Sequence, residues 1–172
     1  MDSQTLIANG FASLGAIYLL VVTVPLSRID IREHRLPNRL VLPALPITLA
    51  GLLIASFITH AWLQIGFSLI TFLIALIAGL VANRFASLGM GDVKLIAAIS
   101  FSLSWFSPIN PLIALLVAFV IAGAVVIGLL VLRKTTLGSA IALGPYLLAG
   151  FAVTQILTWS SYLGGFSPNF LM

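Results

Sequence analysis

The chain lacks cysteine altogether and carries very little charge: four acidic residues, eight lysines and arginines and two histidines in 172 residues. Without thiols, disulfides, thiolate nucleophiles and cysteine metal sites are excluded. The histidines, His34 and His60, stand far apart and read as loop residues, so neither a metal nor a cofactor is expected. Charged residues make up 7% of the chain and apolar ones 61%, with a mean hydropathy of +1.22. Soluble domains are about a quarter charged, so a soluble globular protein is excluded. What remains is a multi-pass integral membrane protein. A chain of this length holds about six spans of roughly 20 residues, with almost nothing left for a soluble domain. We expect one all-α transmembrane domain over residues 1–172, with both termini outside. The net charge of +4 does not point to nucleic acid, because the basic residues fall in short clusters between apolar runs. Such clusters orient a protein in a bilayer.

The N-terminal Met1-Asp2-Ser3-Gln4 has no positive flank, and the apolar run after it is too long for a signal peptide, so it reads as a retained helix. That first span covers about Leu6 to Leu26. The stretch Arg28 to Arg39 holds half of the basic residues and is the main cytoplasmic loop. Pro37-Asn38 marks a turn, and a second span follows from about Leu40 to Ile58, with a kink expected at Pro46. Thr59-His60-Ala61 is an outer turn and Trp62 an interfacial anchor. The third span covers about Leu63 to Val81. A fourth, about Val93 to Phe106, is short: at roughly 1.5 Å per residue it covers about 20 Å against about 30 Å of hydrocarbon. The fifth runs from Leu112 to Leu132. The sixth covers about Ala140 to Trp159, with Gly144-Pro145 as a kink inside it and a polar tail beyond. This topology leaves every lysine and arginine on the cytoplasmic side or at its edge.

Among the acids, Asp2 is terminal, and Glu33 has Arg32 and Arg35 as neighbours in the chain. Asp30, at the inner end of the first helix, and Asp92, at the inner start of the fourth, share a depth and a side. A carboxylate at the edge of hydrocarbon is costly to keep without a partner or a purpose. Two carboxylates in one site cannot both ionise cheaply, so one keeps a proton while the other serves as a base. Such a pair activates water against a peptide carbonyl and protonates the leaving amine. Gly89 and Gly91, flanking Met90, permit positive φ and let an extended substrate backbone approach the turn. Plainer readings stand beside these. Asp92 suits a helix N-cap, and Asp30 an ion pair with Arg28 or Arg32. Lys94 either tunes Asp92 or snorkels to headgroups.

Asp30 followed by Pro37-Asn38, then Gly89-Met90-Gly91-Asp92-Val93-Lys94 after two further spans, resembles the type IV prepilin peptidases, which are GxGD-type membrane aspartyl proteases. The resemblance extends over nearly the whole chain. It implies that Asp30 and Asp92 are the catalytic pair. The implied substrate is a membrane-inserted prepilin or pilin-like protein, cut at the cytoplasmic face after a glycine that ends a short, usually basic leader, just ahead of the pilin's own hydrophobic helix. Longer members of that family carry an N-terminal extension with paired cysteines and methylate the new N-terminus. The resemblance is therefore to the short, peptidase-only type of tight-adherence (Flp) pilus systems, without an N-methyltransferase domain. Two other classes compete: a small ion-coupled transporter with Asp30 and Asp92 as ion ligands, and a catalytically silent assembly factor that needs neither acid.

Overall fold

The computed structural model describes residues 3–86, 88–133 and 142–163. Asp2, Lys134, the expected start of the sixth span at Ala140 and the tail after Leu163 lie outside the described residues. The described residues form eight helices and no strand: α1 (Ser3–Ala12), α2 (Leu14–Glu33), α3 (Asn38–Val41), α4 (Ala44–Thr59), α5 (Trp62–Ala86), α6 (Met90–Leu103), α7 (Asn110–Val131) and α8 (Gly144–Leu163).

Among the described residues, four stretches are long and apolar enough to cross a membrane: α2, α3 with α4, α5 and α7. The other two expected spans are α6 and α8. The fourth is short, as expected: α6 has 14 residues, about 21 Å. The sixth, α8, has 20 residues and buries Thr154, Gln155 and Thr158 against the rest of the bundle. These helices serve the interior of a multi-pass membrane protein. The long helices turn apolar side chains outward, Leu63, Ile70 and Ile77 on α5 and Leu112, Leu116 and Val120 on α7. A surface of that kind suits acyl chains and not water.

Three local expectations are corrected. The first apolar run is not one helix. The Ser13 amide donates to the carbonyls of Asn9 (3.0 Å) and Gly10 (3.2 Å) and its hydroxyl to Asn9 again (2.9 Å), which tightens the chain and separates α1 from α2. The break in the second span lies at Leu42-Pro43, between α3 and α4. Pro46 sits in the first turn of α4, where its missing N–H has no helical partner to lose. Gly144-Pro145 is not a kink but the start of α8, a position that proline favours.

The most enclosed element is α6. It touches α2, α3, α4, α5, α7 and α8, and every residue from Leu95 to Leu103 is buried. One apolar cluster, around Leu26, Leu95, Leu147 and Phe151, supports the loop end of the bundle. A second, around Leu52, Ile65, Phe101 and Trp105, supports the other. There the Trp105 indole donates to Asn9 Oδ1 at 3.2 Å and ties α1 to the turn after α6. Since α5 packs chiefly on α6, and α7 chiefly on α8, a gap is left between α5 and α7 over α6.

Candidate active site

Three chain segments meet at the loop end. The first is the last turn of α2, where Asp30 is only 5% exposed while Arg28 and Arg32 point outward. This helix ends at His34 in the left-handed conformation (φ 51°), whose amide donates to the Asp30 carbonyl at 2.9 Å. The chain then runs through buried Leu36 to Pro37, whose extended backbone (φ −69°, ψ 128°) opens α3.

The second segment is the turn into α6. The Asn83 side-chain amide donates to the Leu88 carbonyl, and Gly89, in extended conformation (φ −62°, ψ 138°), holds the N-cap position. The helix starts with the Val93 amide on the Gly89 carbonyl at 3.1 Å. Asp92 therefore lies inside the first turn and does not cap the helix, so the N-cap reading fails. Its Oδ1 is buried without a hydrogen-bond partner. Burial pushes the Asp92 carboxyl up to about 6, and the charge of Asp30 acts in the same direction.

The third segment is the start of α8, whose place here no residue pattern signals. The Gly144 amide donates to Asp30 Oδ2 at 2.9 Å, so Asp30 reaches across from α2 to cap another helix. This takes the place of the ion pair with Arg28 or Arg32. A carboxylate at a helix N-terminus accepts one of the free amides and complements the dipole. A side chain at 144 would disturb this, because a Cβ there would lie 2.7 Å from Asp30 Oδ2.

Asp30 and Asp92 line one cleft of about 320 Å³, together with His34, Leu36, Asn38 and Lys94. Among the described residues Lys94 makes no ion pair with Asp92; its Nζ donates to Asn38 Oδ1 at 2.9 Å and holds α3 to α6. Neither Gly89 nor Gly91 uses positive φ. Gly91 makes room for Leu36 instead: a Cβ there would lie 2.7 Å from the Leu36 Cβ. The other flank of Leu36 lies against Gly144, where an added Cβ would meet its Cδ2 at 3.2 Å. Leu36 is thus a wedge between α6 and α8, and it holds the loop in the position that closes over the two acids. His60 is at the opposite end, in a left-handed C-cap of α4 (φ 57°), and Glu33 is exposed. Among the described residues no group of three or more metal-ligating side chains stands together.

An all-helical membrane bundle that brings two carboxylates from distant segments to one cleft has an arrangement suited to an intramembrane hydrolase. The comparisons with known proteins agree: the pattern of the type IV leader peptidase family matches residues 16–128, and the chain belongs to that family. It is 32% identical over 170 residues to a prepilin leader peptidase/N-methyltransferase of Aeromonas hydrophila, covering 96% of this chain and 56% of that protein. It is 40% identical over 79 residues to the leader peptidase HopD of Escherichia coli, covering 45% of this chain and 47% of that protein. The aligned stretches thus span about half the length of each relative. No solved structure matches.

Proposed function

We propose that this chain is an aspartyl endopeptidase of the cytoplasmic membrane. It removes the leader from type IV prepilins or pilin-like proteins, cutting after a glycine at the cytoplasmic face. The observation that carries this reading is the single cleft lined by both Asp30 and Asp92. The name of the Aeromonas hydrophila relative supplies the substrate class.

In this mechanism the pair holds one proton between the two acids, because like charges so confined cannot both persist. Asp30 accepts the Gly144 amide, a bond that suits the carboxylate form, and acts as the base. Asp92, whose burial favours the proton, is the acid. A water between them gives a proton to Asp30 as its oxygen attacks the scissile carbonyl carbon, while Asp92 protonates the carbonyl oxygen. The tetrahedral species collapses as the C–N bond breaks, the amide nitrogen takes the proton from Asp30, and Asp92 recovers its own.

The test is gel-shift processing of a co-expressed prepilin whose basic leader ends in glycine. Wild type, Asp30→Asn and Asp92→Asn are compared at equal membrane abundance. Only wild type is expected to shorten the prepilin, and the sequence of the new N-terminus gives the bond cut. Processing by either asparagine variant would refute the two-aspartate mechanism. Failure of wild type on cognate prepilins would refute the peptidase reading.

A further inference from the structure

The gap between α5 and α7 is a groove of about 270 Å³ with α6 as its floor. On α5 its bed is Ala75, Ala78, Gly79 and Ala82, whose side chains are too small to close it. On α7 the facing wall is Leu115 and Phe119. The α5 lining extends from Thr71 to Ala82, about 16 Å or three helical turns.

Two further observations separate this groove from an ordinary lipid-facing furrow. At its loop end it reaches Leu88, the residue before Gly89, which lines the cleft of the two aspartates. Groove and cleft therefore follow one another along the chain and along α6. In the floor lies Ser100, 2% exposed, whose hydroxyl makes no hydrogen bond among the described residues. An unbonded hydroxyl in an apolar wall is costly in hydrocarbon unless something polar arrives to meet it.

We propose that this groove receives the apolar helix of the protein substrate that directly follows the scissile bond, with the leader on the far side of the two aspartates. The proposal rests on the peptidase reading above. Small residues at helical spacing let two helix backbones approach closely within a bilayer, and there packing and interhelical hydrogen bonds drive association. The Ser100 hydroxyl supplies one such bond. An occupant seated here has its end at Leu88, next to the acids, so the groove sets which peptide bond reaches them. The cut site is then measured from the start of the apolar helix and not by the leader alone.

The experiment uses the full chain in membranes with a co-expressed prepilin. Ala78→Trp fills the groove, while Ile77→Trp, on a neighbouring position that is 60% exposed and does not line it, is the control. Ala78→Trp is expected to slow processing at least tenfold at equal abundance, and Ile77→Trp to leave it at the wild-type rate. Because the chain has no cysteine of its own, Ala78→Cys can also be cross-linked cleanly. Combined with Asp92→Asn, it is expected to couple through a short bismaleimide to a cysteine in the first two turns of the prepilin's apolar helix. The corresponding Ile77→Cys protein is expected not to couple. Wild-type rates for Ala78→Trp would mean that the groove holds only lipid, and would overturn the proposal. So would coupling of Ala78→Cys to a second copy of itself, or no coupling to a prepilin that wild type processes. Failure of wild type to process is a different result and falls on the peptidase reading.

Discussion

Gly144 shows how much one missing side chain can control. Its amide is the donor to Asp30, and the space that a Cβ would take is occupied by the Asp30 carboxylate. Gly144→Ala is therefore expected to lower the processing rate at least tenfold, a loss of about 1.4 kcal/mol or more in transition-state stabilisation. Membrane abundance should be unchanged, since α8 keeps its buried face. A processing time course at matched abundance checks this; a wild-type rate would separate the Gly144 contact from catalysis. At the same scale, Gly91→Val should impair processing by moving Leu36 and the loop, and not by blocking the substrate from the open side. The glycines and the two aspartates were legible in the sequence, but the use of the glycines was not. A GxGD pattern says that space is needed; only the packing says that Leu36 fills it.

Among the elements, the long apolar helices were legible from their hydropathy; α3 with α4, and α7, keep within two residues of the bounds expected, while α2 and α5 run on past theirs to Glu33 and Ala86. The misplacements share one cause. Where α1 passes into α2 the sequence stays apolar, so hydropathy carries no trace of the Ser13 turn, which is made by hydrogen bonds to Asn9 and Gly10. The start of α8 was hidden in the same way, because a Gly-Pro pair reads as a kink until Asp30 is seen to cap it. Helix α1 is held to α4 by close approach: a Cβ at Gly51 would lie 2.3 Å from the Phe11 carbonyl oxygen. Gly51→Val should force the two helices apart at about 1–3 kcal/mol, the usual cost of overpacking. The expected reading is a lower thermal midpoint in detergent. An unchanged midpoint would mean that α1 contributes little to the stability of the bundle.

The whole molecule keeps a carboxyl that its interior would rather have protonated, and this links stability to pH. The Asp92 carboxyl is raised in the fold to about 6 from an ordinary value near 3.8. Its protonated form thus favours the folded state; the contribution is fully present below about 3.8 and is lost as pH rises through about 6. The thermal midpoint of wild type should accordingly fall between pH 4 and 7 relative to that of Asp92→Asn, which has no such proton to lose. Midpoints for the two proteins that stay parallel across that range would argue against the burial of Asp92. Leu36, wedged between Gly91 of α6 and Gly144 of α8, also has a genetic consequence. A selection for regained function that starts from Gly91→Ala should return glycine at position 36 and not merely a shorter side chain, because the nearest atom an added Cβ meets there is the Leu36 Cβ, which every residue but glycine keeps. The same selection from Gly144→Ala should not, since that methyl group also presses on Asp30, which the reaction cannot give up. Two lesions against the same leucine would then differ in whether a second-site revertant exists.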